Sequence, residues 1–161
     1  MGKEEQRAAY SYRLATNDDF EFLYALHVAA MRAYVEPLWG WEETWQQEYF
    51  ARKFDPRLYQ IIQIEGQDAG VVVVELRENK FYIALIELLP DFQGRGIGTA
   101  VISELSIQAQ ANNLPMMLHV LKSNDPARRL YEKLGFVVVG EEEHRFKMVK
   151  ETNSSAPIDQ Q

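Results

Sequence analysis

Cysteine is absent from the 161 residues. That excludes disulfides, thiolate metal sites and any route through a cysteine thioester, and it favours a reducing, cytoplasmic setting. Histidine occurs three times, at no spacing that groups ligands around a metal, so no metal is expected. Positive charge is in deficit: Lys plus Arg is 17 against 24 for Asp plus Glu, a net charge of −7. An acidic body repels phosphate backbones, so nucleic acid is not an expected partner, whereas a cationic small molecule suits the sign. Long apolar runs are missing too. The longest aliphatic stretch, Val71 to Val74, is far short of the roughly 20 residues a membrane span needs, so no membrane partner is expected. Met1 to Arg7 mix charges without an apolar run, and no secretory signal is readable there.

What is present suffices for one core, with 47% hydrophobic and 12% aromatic residues. The expected organisation is a flexible N-terminus over 1–9, a single domain over 10–149 and a flexible polar tail over 150–161. Tyr10 to Ala15 reads as a strand. Thr16 with Asp19 caps a helix whose Phe20, Leu23, Tyr24, His27 and Met31 recur at helical spacing, and Pro37 is expected to stop it. Trp41 to Lys53 reads as a second helix. Tyr59–Ile64 and Ala69–Leu76 form a hairpin around Glu65-Gly66-Gln67-Asp68, and a long strand follows over Phe81–Leu89. A long helix over Gly96–Asn112 leads to a strand at Met116–Val120, a helix at Asp125–Leu134 and strands at Phe136–Val139 and Arg145–Val149. The order is βααβββαβαββ. The strand–helix–strand unit implies a right-handed crossover, hence one parallel pair in a mostly antiparallel sheet of an α/β (α+β) fold.

The stretch joining the long strand to its helix is Leu88-Leu89-Pro90-Asp91-Phe92-Gln93-Gly94-Arg95-Gly96-Ile97-Gly98-Thr99. Alternate glycines at a helix start let the backbone bend tightly and turn unpaired amides outward. Such a turn suits an anion, because the first helical N–H groups lack internal partners and the helix dipole adds about half a positive charge. A dinucleotide fingerprint fails on spacing, since its third glycine falls on Thr99, and no Gly-Lys-Ser/Thr supports a nucleoside-triphosphate loop.

Gln93-Gly94-Arg95-Gly96-Ile97-Gly98 resembles the Gln/Arg-x-x-Gly-x-Gly/Ala signature of the GNAT superfamily of N-acetyltransferases. Asn124-Asp125-Pro126-Ala127-Arg128-Arg129-Leu130-Tyr131-Glu132-Lys133-Leu134-Gly135-Phe136 is similar to that family's Asn-x-x-Ala-x-x-Leu-Tyr-x-x-x-Gly-Phe. The resemblance covers roughly residues 10–149. It implies a GNAT-like twisted sheet with helices on both faces and acetyl-CoA as co-substrate. It implies that Arg95 to Thr99, with Gln93 and Gly94, hold the pyrophosphate through backbone amides. Leu88, with Leu89 beside it, would bind the pantetheine arm and acetyl carbonyl by backbone hydrogen bonds, as an added strand does. Asn124 would contact pantetheine or adenine. Tyr131 would give its proton to the departing thiolate; read without the motif, it is a core tyrosine.

The implied activity is direct acetyl transfer, in a ternary complex, to a primary amine of a small molecule or peptide. The alternative is a non-catalytic acyl-CoA-binding or interaction module on the same fold. An attacking amine must be neutral, so a base is required. Glu87, a lone acid near the end of an apolar strand, is the candidate; it could equally bind an ammonium or face solvent. His119, on the next strand, is a further candidate at the acceptor site or a structural residue. Tyr34, Trp39 and Trp41, with nearby acids, suit an amine on an apolar or cationic body. Their other reading is core and homodimer contacts for the rings and helix capping for the acids.

Overall fold

The computed structural model of the protein describes residues 9–153. The N-terminal residues 1–8 and the tail residues 154–161 lie outside that range. The elements are β1 (Tyr10–Leu14), α1 (Phe20–Trp39), α2 (Glu43–Lys53), β2 (Gln60–Ile64), β3 (Gln67–Arg77), β4 (Lys80–Leu88), α3 (Ile97–Ala111), β5 (Met116–Leu121), α4 (Asp125–Lys133), β6 (Val137–Glu141) and β7 (Arg145–Lys150). The order βααβββαβαββ is therefore the one the pattern predicts. Strand β7 reaches Lys150, the first residue of the expected tail, and Asn153 donates to Gln110 Oε1 at 3.3 Å.

The strands hydrogen-bond in the order β1-β2-β3-β4-β5-β7-β6. Pairing is antiparallel for β1–β2, β2–β3, β5–β7 and β6–β7, and parallel for β4–β5. The parallel ladder holds only Phe81↔Met116 and Tyr82↔Met117, so β4 carries its edge on to Leu88 beyond the last pair with β5.

The chain divides into two compact units, residues up to 73 with 85–98, and 74–84 with residues from 99 onward. In the first, Leu23, Leu26, Ile61, Ile62 and Val71 are buried, and Phe20, Tyr24, Phe50, Phe54 and Tyr59 pack ring on ring. Arg13 ties β1 to both Asp19 and Asp68, each at 2.8 Å. Its guanidinium holds both carboxyls below the usual aspartate range. In the second unit Ile102, Met116, Met117, Leu118, Phe136 and Met148 form the buried set.

Two expectations shift at helix ends. Pro37 does not stop α1, which continues to Trp39. A proline in the last turn forgoes one backbone bond, and termination falls to Gly40, whose φ of +74° suits glycine and whose N–H reaches Glu36 O at 2.8 Å. Helix α2 begins at Glu43 rather than Trp41, because the Glu42 carboxylate accepts from the Thr44 and Trp45 amides and sets the start. The capping box at Thr16 is present: its backbone N–H donates to Asp19 Oδ2 at 2.8 Å, and a single turn of 3-10 helix, Asn17–Asp19, leads into α1.

Candidate functional site

The glycine turn sits where its sequence places it. After Leu88 the chain makes a turn over Pro90–Phe92 and opens into α3 at Ile97. Gly94 and Gly96 take φ of +75° and +81°, a region that costs a side-chain-bearing residue about 1–2 kcal/mol. A Cβ added at either glycine meets no protein atom within 4 Å, so the turn borders open space. Residues 93–96 are exposed, as is Thr99, while Ile97 anchors the helix start with 2% exposure. Gln93 turns its side chain back and donates to Leu88 O at 2.8 Å. The Arg95 guanidinium lies over the Phe92 ring, 5.3 Å from its centre. The Leu89 N–H donates to Ala69 O at 2.9 Å, so that amide serves β3.

Glu87 is not a solvent-facing strand residue. Its side chain is 2% exposed, and Oε2 lies 2.8 Å from His27 Nδ1. Oε1 is buried and has no hydrogen-bond partner among the described residues. An orphaned buried acceptor costs about 1–3 kcal/mol, so its retention calls for an explanation. Gly70 explains how the strand comes so close: a Cβ there would stand 2.4 Å from Glu87 O and 2.6 Å from Leu88 Cδ2.

His27 also lines an open pocket of about 670 Å³ whose walls include Val35, Trp39, Trp45 and Tyr49. Trp39 and Trp45 are 57% and 52% exposed, which is unusual for large rings. Of the residues expected at an acceptor site, Trp39 lines this pocket. Trp41 stands beside His27, with ring centres 6.3 Å apart, and its Nε1–H donates to Glu43. Tyr34 is half-buried on α1 and is not among the lining residues. The acids of this junction are engaged within the protein. Glu36 pairs with Arg32, Glu42 caps α2, and Glu43 accepts from the Tyr24 hydroxyl, Trp41 and Gln47. Burial, with that bond to Glu43 second, pushes the Tyr24 phenol up to about 12.

In the second unit, Asn124 caps α4 by accepting from the Ala127 amide at 3.2 Å. Tyr131, on the same helix, is half-buried and packs edge-on against Phe136 with ring centres 5.9 Å apart. His119 Nδ1 lies 2.7 Å from the Tyr82 hydroxyl, and its Nε2 faces Glu142 at 3.4 Å. Burial, helped by Arg145, holds the His119 imidazole below its ordinary value. Arg77 lies over the Tyr82 ring at 4.1 Å.

A family model described as the acetyltransferase (GNAT) family matches residues 20–136. The chain belongs to the GNAT acetyltransferase family. An acetyltransferase of Pectobacterium atrosepticum is 33% identical over 86 residues, 53% of this chain and 61% of that protein. An uncharacterized N-acetyltransferase of Methanocaldococcus jannaschii is 28% identical over 137 residues, 79% of this chain and 60% of its own. This chain thus spans about three fifths of the length of both relatives. Among solved structures, the PaiA N-acetyltransferase of Thermoplasma acidophilum, in complex with coenzyme A, matches with a TM-score of 0.73 at 16% identity, over 89% of this chain and 99% of that one. Arabidopsis thaliana Naa50, in complex with a bisubstrate analogue, matches with a TM-score of 0.58 at 17% identity, over 87% and 96%. At these identities the likeness is one of fold.

Two residues of this GNAT chain escape a reading by motif. His27 falls on the apolar stripe of α1, where a histidine passes for a core residue. The available signal was charge: a lone acid in an apolar strand needs a buried partner, and His27 is a titratable residue on the stripe that packs inward. Gly70 lies within a strand whose neighbours are apolar, and only the approach of β4 reveals why no side chain fits.

Proposed function

We propose that this protein is an N-acetyltransferase that moves the acetyl group of acetyl-CoA directly to a primary amine in a ternary complex. The observation that carries this reading is the exposed turn at Gly94 and Gly96, strained in a way glycine tolerates, bordering open space and running straight into α3. Backbone amides from Arg95 to Thr99 would hold the pyrophosphate there, with Arg95 adding charge once drawn from Phe92. The edge of β4 past its last pair with β5 suits an extended pantetheine, whose amides would continue the strand at Leu88. An N–H of that edge directed at the thioester oxygen would stabilise the oxyanion, a contribution of about 10²–10³ in rate. Tyr131 would protonate the departing thiolate, and Asn124 retains its amide N–H groups for the cofactor while its oxygen caps α4. Glu87, buried near the end of β4 and 2.8 Å from His27 Nδ1, would take part in removing the proton from the amine. Cysteine being absent, no acyl-cysteine intermediate forms in this chain.

The test mixes the protein with acetyl-CoA and polyamines, amino acids, aminoglycosides, arylalkylamines and peptides, and follows free CoA thiol. Cysteine-free protein contributes no background. Thiol release with one acceptor class, with the acetylated amine found by mass spectrometry, is the expected result. Binding of CoA without release across the panel would favour a binding module, and failure to bind CoA would overturn the assignment of the turn.

A further inference from the structure

Resting on that reading, we infer that His27, oriented by Glu87, is the group that takes the proton from the acceptor amine, and that the pocket His27 lines receives a monoamine carried on an aromatic or aliphatic body. Glu87 is a positioning residue in this account. A carboxylate oxygen accepts hydrogen bonds, so with Nδ1–H donating to Glu87 Oε2 at 2.8 Å the ring is oriented and Nε2 is the nitrogen left to take a proton. No described side chain bonds Nε2, and the ring belongs to the wall of the pocket. A nearly fully buried acid, a ring it orients, and that ring's place in the wall of a cavity form the arrangement that makes imidazole a general base. Burial alone would have favoured an apolar residue at either position.

Of the titratable and charged groups around the ring, Glu87 on β4 contacts it, Glu42 and Tyr49 share the pocket wall with it, Tyr24 on α1 is bonded to Glu43, and Arg32 pairs with Glu36. Glu87 alone bonds it. Arg32 lies over the Trp41 ring, 5.4 Å from its centre. Proton balance is simple. The amine nitrogen attacks the thioester carbon, a C–N bond forms, and the N–H proton passes to Nε2. The C–S bond then breaks as the thiolate leaves and is protonated, and the imidazolium returns its proton to water.

The pocket chooses the amine's body. Trp39, Trp45 and Tyr49 offer ring surface, and their exposure leaves apolar area for a ligand to cover. The carboxylates at this end, Glu42 and Glu43, already accept backbone and side-chain hydrogen bonds. Those bonds fix Glu42 and Glu43 in place for the fold, and most of the remaining wall is ring and aliphatic surface, which suits an aromatic or aliphatic body.

The experiment measures kcat and KM against pH for the wild-type chain, His27→Gln and Glu87→Gln, with tryptamine, 2-phenylethylamine and spermidine. We expect the arylalkylamines to surpass spermidine in kcat/KM by at least about tenfold. His27→Gln should lose about 100-fold or more in kcat and the rise of rate with pH, with KM for acetyl-CoA unchanged. Glu87→Gln, which keeps the shape and removes the charge, should lose about tenfold and move that rise to lower pH. It should still melt as a folded protein, which separates positioning from packing. Trp45→Ala should raise the amine KM and leave kcat near wild type. Release that survives His27→Gln within threefold, with the pH profile unmoved, overturns the role of His27 alone. Preference for spermidine overturns the choice of acceptor. Absence of thiol release by the wild-type chain with any amine overturns the acetyltransferase reading and this inference with it.

Discussion

Two half-buried histidines in this protein have opposite surroundings. His119 is bonded to the Tyr82 hydroxyl on one nitrogen and faces Glu142 with the other, and the cations Arg145, Lys147 and Arg77 join burial in opposing its protonation. His27 touches a single acid, has its other nitrogen without a described partner, and lines a cavity. The acid it touches leaves an oxygen unpaired. The first arrangement is closed: one ring nitrogen is hydrogen-bonded to Tyr82, the other faces Glu142, and burial with the surrounding cations opposes protonation. The second is open, with one position held for orientation and another kept for a ligand. A histidine acts on a substrate only if part of its bonding capacity is left unfilled by the fold.

The sharpest way to break this contrast is to remove each ring in turn. His27→Gln should lower turnover by about 10²–10⁴. His119→Gln should leave it within about threefold, measured as CoA release at saturating acetyl-CoA. Equal losses would erase the distinction. Tyr131→Phe should lower kcat by about 10² with the affinity for CoA unchanged, which tests whether the acid lies on α4 as the family motif implies.

A smaller effect is expected at Gly70. Adding a methyl group drives a Cβ to 2.4 Å from Glu87 O, so Gly70→Ala must displace β4 at the residue that orients His27. A loss of about 1–3 kcal/mol in unfolding free energy, with about a tenfold loss of kcat, is the anticipated cost. Wild-type activity in a stable Gly70→Ala protein would show that the placing of Glu87 is not exacting.

The smallest effect concerns pH and stability at the closed site. His119 protonates less readily folded than unfolded, so its contribution is present above the unfolded value of 6.5 and is lost as pH falls below it. Between pH 7 and 5 the Tm of the wild-type chain should fall more than that of His119→Gln, by about 2–3 °C. Identical slopes would place the acid sensitivity elsewhere.

The element order was legible because strands and helices announce themselves through period and punctuation. The alternation around Ile61 and the capping box at Thr16 are local signals, and local geometry obeys them. Pro37 misleads because a proline near a helix end removes one hydrogen bond where few remain to be lost. The glycine turn and the Asn124 to Phe136 stretch were legible as motifs: Gly94 and Gly96 take the positive φ a tight curve demands, and Asn124 caps the helix it precedes. The pairing of His27 with Glu87 was not. Sixty positions separate them, and their meeting depends on α1 crossing β4, which no local pattern encodes. The same holds for the acids around Trp41. In sequence they resemble a cationic-substrate site, and in three dimensions each already serves the protein.

The most direct test of the contrast between open and closed histidines is an NMR titration of the imidazole rings, of which the chain has three. With CoA present and tryptamine added, the His27 ring resonances should move in proportion to saturation while those of His119 stay in place. Movement of His119 with His27 silent would contradict the account.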